Sequence, residues 1–258
     1  MNFASILGSV LGILALVGGQ LLEGGKITQI LQGTAALIVL GGTLGATLVS
    51  YPFEDCKRAL RLLPLIYKKT ESDLQTLIED IFRIATIARK EGLLAIEGQR
   101  DSIKDPIFRR AIKYVIDGFE PGVVKEIVET EIDASFEREE RAARVFEGAG
   151  GYAPTIGILG AVLGLIHVMT LLDDPTKIGE GIAVAFVATV YGVGLANLVL
   201  IPWGQRLRQL VEARALGKEI AKQGILGIQE GINPHFLKEK LAAMARQSDT
   251  PEVGAKAG

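Results

Sequence analysis

Residues 148–172 read GAGGYAPTIGILGAVLGLIHVMTLL, a run without a single Asp, Glu, Lys or Arg. Three further runs share this property: residues 1–22, 27–53 and 181–205. A helix needs roughly 20 mainly apolar residues to cross a bilayer, and each run is long enough. The sequence therefore predicts an all-α membrane protein with four transmembrane helices and a large helical cytoplasmic domain between helices 2 and 3.

These spans divide the 258-residue chain into four parts. Residues 1–53 and 148–205 are predicted to be transmembrane hairpins, residues 54–147 a cytoplasmic helical domain, and residues 206–258 a cytoplasmic tail. Apolar residues recur at intervals of three and four along 60–88, 124–136 and 207–228, as expected for amphipathic helices. Ser72 and Asp73 are predicted caps, a helix is predicted from about Pro121 into the membrane, and the polar end after Gln247 is predicted to be disordered.

The distribution of basic residues predicts the orientation. Of the 28 Lys and Arg residues, all but Lys26 and Lys177 lie in residues 51–150 or 203–258. Translocated loops are poor in Lys and Arg, so the two short loops are expected outside the cytoplasm. Both termini are then cytoplasmic, and the protein is expected to be a multi-pass membrane protein.

Several function classes find no support in the sequence. The net charge of −2 gives no basic field for nucleic acid. Two histidines and one cysteine have no metal-site spacing, and the chain lacks nucleotide-binding loops and nucleophile motifs. We therefore expect no metal, no cofactor, no nucleic-acid partner and no enzymatic activity.

Small residues form a stripe on the third span. Gly157, Gly160, Ala161 and Gly164 follow a spacing of three and four, which permits close helix contact in lipid. Ordinary helix packing explains such a stripe, and a contact with a partner helix is the alternative. The hydroxyl groups of Thr155 and Thr189 also have two possible roles. Each can bond to the backbone of its own helix, or it can line a polar path.

Four segments of the sequence resemble the MotA/PomA family of flagellar stator subunits over about residues 1–235. They are GGTLGAT at residues 41–47, IARKEGLLAIE at 87–97, APTIGILG at 153–160, and TVYG at 189–192, followed by Asn197 and Pro202. The resemblance implies an ion-conducting stator subunit that couples ion flow across the inner membrane to torque on a rotor. It also implies a pentamer around a dimer of a MotB-like single-span partner, facing a FliG-like rotor protein.

The resemblance also implies roles for individual residues. Rotor interaction falls to Arg89, Lys90 and Glu97; on one helix, Arg89 and Glu97 would lie roughly 12 Å apart along the axis, on nearly one face. The remaining roles concern the spans: ion pathway and coupling for Pro154, Thr155, Ala161, Thr189 and Pro202, and packing on the partner helix for Gly157, Gly160, Gly164 and Gly192. No span contains a carboxylate, so the ion-carrying carboxylate is expected from the partner.

Two residues favour protons as the coupling ion. The resemblance places Ala161 where sodium-driven relatives have threonine, and Gln32 where they have an acidic residue. A threonine hydroxyl can replace water around sodium, whereas alanine cannot.

Three alternatives remain: an ExbB/TolQ-like proton-channel subunit that energises outer-membrane processes, a structural membrane protein and a secondary transporter. The four uncharged runs disfavour the first, because those relatives have three spans. A structural membrane protein predicts that Thr189 and Pro154 tolerate substitution. A secondary transporter needs a substrate site with charged or broken-helix features in its spans, and the sequence shows none.

Overall fold

The computed structural model of the protein describes residues 3–68, 74–170 and 175–247, and within these residues it contains helices and no strand. The α-helices are α1 (Phe3–Leu22), α2 (Ile27–Ile30), α3 (Gly33–Ala36), α4 (Gly42–Ser50), α5 (Phe53–Ile66), α6 (Leu74–Glu91), α7 (Pro106–Ile116), α8 (Pro121–Met169), α9 (Pro175–Leu195), α10 (Ile201–Gln229) and α11 (Pro234–Gln247). A 3-10 segment spans Leu93–Ser102, and π-helical turns span Leu37–Gly41 and Ala196–Leu200.

Among the described residues, four helices are long and apolar enough to cross a membrane. They are Phe3–Leu22, Gly33–Ser50, and the apolar parts of Pro121–Met169 and Gly181–Gln229. The predicted all-α fold with four spans is therefore confirmed. The chain divides into two compact units, a first unit of residues 1–70 and 138–210 and a second unit of residues 71–137 and 211–258.

The boundaries of the second span differ from the predicted 27–53. The backbone leaves helical geometry at Leu31 and Gln32, so the continuous span begins at Gly33 and ends at Ser50. Pro52 marks its other end, because the extended Tyr51 and Pro52 cannot continue the ladder of hydrogen bonds. Apolar composition alone did not reveal this interruption.

The third and fourth spans continue as helix beyond their apolar residues. The helix predicted from about Pro121 is confirmed and runs unbroken to Met169. The tail helix predicted at 207–228 is the later part of α10, which follows the π-helical turn Ala196–Leu200 directly. The wider turn precedes Pro202, whose missing N–H removes one bond of the regular ladder.

The second unit has its own core. α6, α7, α11, the 3-10 segment and parts of α8 and α10 bury an apolar cluster that includes Ile81, Ile84, Phe108, Ile220 and Leu241. Asp105 begins α7 as an N-cap, its carboxylate accepting from the backbone N–H groups of Ile107 and Phe108 at 3.0 and 2.8 Å.

Helix α11 was not predicted from the sequence. Its apolar residues Leu237 and Leu241 are fully buried, and this burial stabilises the helix. The predicted caps Ser72 and Asp73 and the predicted disorder after Gln247 lie outside the described residues.

Candidate functional site

The glycines of the third and fourth spans bring the two helices of one chain into backbone contact. A Cβ on Gly157 would lie 2.9 Å from the carbonyl oxygen of Ala188, and one on Gly164 would lie 3.1 Å from Cα of Ala185. Gly160 faces the Cβ of Ala188 at 3.0 Å. This is the ordinary helix packing that the stripe predicts. A contact of Gly157, Gly160, Gly164 and Gly192 with a partner helix would need another part of their surface, and it stays a prediction.

Two residues of the predicted ion path are adjacent in sequence to residues of this helix contact. Ala161 and Thr189 each come one residue after a member of the contacting pair Gly160 and Ala188, and both are half-buried. The packing therefore brings them to the same level of the two helices. Thr155 lies on the exposed side of α8, where its hydroxyl donates to the carbonyl of Tyr152 at 2.8 Å.

The two prolines of the predicted coupling pair occupy different environments. Pro154 is half-buried inside the unbroken helix α8. Pro202 is exposed and lies directly after the π-helical turn Ala196–Leu200, near the start of α10, within a helix that continues from the fourth span. Neither proline ends its helix.

Two polar residues of the fourth span have partners that the sequence did not reveal. The hydroxyl of Tyr191 donates to the carbonyl of Ile30 at 2.5 Å and accepts from the N–H of Gln32 at 3.2 Å. It therefore satisfies two backbone groups at the interruption of the second span. Asn197 is exposed on the chain, and its amide donates to the carbonyl of Val193 at 3.0 Å.

Span two contributes two buried hydroxyl groups from the GGTLGAT segment. Thr47 donates to the carbonyl of Thr43 at 2.7 Å, whereas Oγ1 of Thr43 is buried and has no hydrogen-bond partner among the residues that the structure describes. The segment packs on the third span, because a Cβ on Gly42 would lie 2.8 Å from Ile156. The hydroxyl of a tyrosine or threonine in an apolar span needs a hydrogen-bond partner. Such residues are therefore the signal in the sequence for these hydrogen bonds.

The predicted rotor-facing residues are all exposed, but they do not share one helix. Arg89 and Lys90 end α6, whereas Glu97 belongs to the 3-10 segment. Gly92 separates the two with φ of 87°, a conformation that ends a helix and favours glycine. The expectation that Arg89 and Glu97 lie about 12 Å apart on one helical face is therefore wrong. The apolar spacing of the sequence ends at residue 88, before Gly92, and so did not support a single helix that reaches Glu97.

Each unit contains ion pairs that the sequence analysis did not single out. In the first unit, Asp55 is buried beside Arg58 at 3.0 Å and Arg141 at 3.6 Å, and Glu147 pairs with Arg208 at 2.8 Å. The partners of Arg141 and Arg208 lie far from them in the sequence, so the sequence alone did not predict these pairs.

A corresponding ion pair in the second unit shifts two pKa values. Lys222 donates to Glu129 at 3.0 Å, and this hydrogen bond lowers the pKa of Glu129. Burial lowers the pKa of Lys222, but its hydrogen bonds to Glu219 and Glu129 outweigh burial, and the pKa is raised. Within the described residues, no group of three His, Cys, Asp or Glu side chains could hold a metal ion.

Together the helices and the site define a multi-pass membrane protein whose four spans contain no charged residue and whose chain divides into two helical units. Residues 99–220 match the profile of the MotA/TolQ/ExbB proton channel family, and residues 6–92 match that of the motility protein A N-terminal region. Motility protein A of Helicobacter pylori is 33% identical over 93% of this chain and 94% of its own length.

Two solved structures are also similar over almost the whole chain. The structure of MotAB from C. jejuni covers 100% of this chain and 99% of its own with 29% identity and a TM-score of 0.89. The flagellar MotAB stator complex from Bacillus subtilis has 29% identity and a TM-score of 0.85, and 96% of each chain is covered.

The chain belongs to the MotA/PomA family of flagellar stator subunits, within the MotA/TolQ/ExbB proton channel family. It is therefore a multi-pass protein of the inner membrane and not an enzyme. The family resemblance read from residues 41–47, 87–97, 153–160 and 189–192 is confirmed.

Proposed function

We propose that this chain, with a MotB-like partner, conducts protons across the inner membrane and couples their flow to torque on the flagellar rotor. The observation that carries the proposal is the combination, in one MotA/PomA family member, of a membrane unit without charged residues in its spans and a second, charged helical unit. Both termini and the second unit lie in the cytoplasm, as the basic residues favour.

The ion carrier belongs to the partner. A group that binds and releases protons inside a membrane is normally an ionisable side chain, and Asp and Glu are absent from all four spans. His167 is exposed and lies near the end of α8, ten residues after Gly157. A carboxylate on a single-span MotB-like helix supplies what this chain lacks.

The membrane surface of the chain suits a ring of subunits. Helix α1 contains no buried residue, and large apolar side chains such as Leu11, Leu14, Leu37 and Leu163 are exposed on the first, second and third spans. These surfaces meet lipid, neighbouring copies or the partner helices. We propose a pentamer around a partner dimer, a stoichiometry that rests on the MotA/PomA resemblance.

The rotor-facing surface is the exposed edge formed by the end of α6 and the 3-10 segment. It presents Arg89, Lys90 and Glu97, all exposed, and Leu94, which is 75% exposed. Charges of both signs on one accessible edge can attract and repel a charged helix of a FliG-like rotor protein as it passes.

The driving force is sufficient for stepwise motion. One elementary charge that crosses 100 mV releases about 2.3 kcal/mol. Ala161, without a hydroxyl to replace water around sodium, favours protons as the ion.

The ExbB/TolQ alternative shares the profile that matches residues 99–220. The separate match of residues 6–92 to the motility protein A N-terminal region, which contains the first two spans, favours the stator.

Swimming speed tests the proposal. A host without its own stators expresses this chain with a MotB-like partner protein, at fixed pH, while sodium is varied and a protonophore is added. A proton-driven stator gives motility that ignores sodium and stops with the protonophore. Sodium-dependent swimming would overturn the choice of ion. Absent swimming despite membrane insertion and partner binding would overturn the stator function and favour the ExbB/TolQ alternative.

A further inference from the structure

A pocket with basic lining residues lies in the second unit, and none of Arg89, Lys90 and Glu97 lines it. It has a volume of about 360 Å³ and is lined by Arg100 of the 3-10 segment and by Arg109, Arg110, Lys113 and Tyr114 of α7. Arg109, Arg110 and Lys113 are exposed, whereas Arg100 and Tyr114 are half-buried. Four of the five lining residues therefore carry a positive charge.

These charges are only partly neutralised. Arg110 pairs with Glu131, but within the described residues Arg100, Arg109 and Lys113 have no carboxylate partner. The Nε of Arg109 donates to the carbonyl of Ile103 at 2.9 Å, which fixes the guanidinium and leaves its two terminal nitrogens for another acceptor. Like charges around one pocket repel each other, and a bound polyanion relieves the repulsion.

We propose that this pocket binds a nucleotide, with the phosphates on Arg100, Arg109 and Lys113 and the base against the ring of Tyr114. Guanidinium groups match the geometry of phosphate oxygens, and each such hydrogen bond is charge-assisted. Tyr114 is anchored by an edge-to-face contact with Phe119, their ring centroids 5.7 Å apart, so it forms a fixed aromatic wall.

The size of the pocket favours a small molecule over a protein segment. A stable protein interface buries about 800 Å² on each partner, whereas small-molecule sites have volumes of about 300 to 1,000 Å³. The pocket falls in the second range. Its role would be regulatory and separate from ion conduction, because it needs no residue of the spans and none of Arg89, Lys90 and Glu97.

Binding to the purified complex of the full chain and its MotB-like partner tests the proposal. The probes are ATP, GTP and inorganic tripolyphosphate, measured by isothermal titration calorimetry at low and high salt. Lys113→Gln removes one free cation of the pocket, and Lys125→Gln removes an exposed cation of α8 as the matched control. Tyr114→Leu removes the aromatic wall, and Tyr114→Phe keeps it.

The proposal expects ATP or GTP to bind, with weaker affinity at high salt. Lys113→Gln should weaken binding about tenfold, the loss of one charge-assisted contact, while Lys125→Gln should leave it unchanged. Tyr114→Leu should weaken the nucleotide but not tripolyphosphate, and Tyr114→Phe should weaken neither. Equal affinity for tripolyphosphate and nucleotides would overturn the base contact. Absent binding of all three probes, or equal effects of the two lysine variants, would overturn the site.

Discussion

Gly157 of the third span and Gly192 of the fourth touch through their backbones. A Cβ on Gly157 would lie 3.1 Å from Cα of Gly192, and a Cβ on Gly192 would lie 2.9 Å from Cα of Gly157. Only residues without a side chain allow this approach, and in lipid such close packing is a main source of helix association. The contact sets the distance between the two helices that contain Ala161 and Thr189.

Gly192→Ala should separate these helices. The new Cβ would lie 2.5 Å from the carbonyl oxygen of Ala153, a backbone atom that cannot rotate away. Overpacking of this kind costs about 1–3 kcal/mol, so the melting temperature of the purified complex should fall. Gly194→Ala is the control, because the nearest atom to its Cβ is 4.0 Å away. Equal melting temperatures for the two variants would contradict the contact.

Tyr191→Phe should destabilise the interruption of the second span. The change keeps the ring but leaves the carbonyl of Ile30 and the N–H of Gln32 without their partner. The expected loss is about 1–3 kcal/mol, measured as thermal stability. Tyr152→Phe is the control, since its hydroxyl contacts the exposed Ser50 hydroxyl and no backbone group. If both variants behave alike, the hydroxyl of Tyr191 does not stabilise the break.

Reversal of Arg89 or Glu97 should slow swimming in the stator-deleted host. An exposed ion pair contributes only about 0.2–1 kcal/mol, so one reversal should weaken motility and the reversal of both should weaken it further. A compensating charge on the rotor should restore part of the speed. Lys125→Glu, an exposed reversal elsewhere in the second unit, should have no effect. Wild-type speed in the double variant would exclude these residues from the rotor contact.

Ala161→Thr and Ala161→Val separate the effect of a hydroxyl from that of volume. Both add similar bulk at a half-buried position, but only threonine adds an oxygen that can replace water around sodium. If Ala161 sets the ion preference, threonine alone should introduce a response of swimming speed to external sodium. An equal response in the valine variant would assign the effect to volume.

The pair Glu129 and Lys222 should make stability depend on pH. The pKa of Glu129 is lowered from 4.5 in the folded state. The contribution of Glu129 to folding stability is therefore present above pH 4.5, and it is lost as the pH falls through the lowered pKa. Glu129→Gln should flatten this acid limb in thermal unfolding of the complex, whereas the exposed Glu126→Gln should leave it unchanged. An identical acid limb in both variants would exclude the pair as its source.

The sequence by itself determined the four spans and the family, because both depend on local properties. An uncharged run of sufficient length needs no partner to be recognised, and the helix that continues from Pro121 into the third span follows from its repeated apolar spacing. The candidate residues from Arg89 to Pro202 came from motif resemblance, and their roles stay predictions.

Only the tertiary structure decided how these residues are arranged. Gly92 adopts a positive φ that places Arg89 and Glu97 on different elements, and glycine in a sequence permits that conformation without requiring it. The hydroxyl of Tyr191 meets the broken second span across 161 positions of sequence. Such contacts depend on how distant helices pack, whereas the helices themselves depend on neighbouring residues.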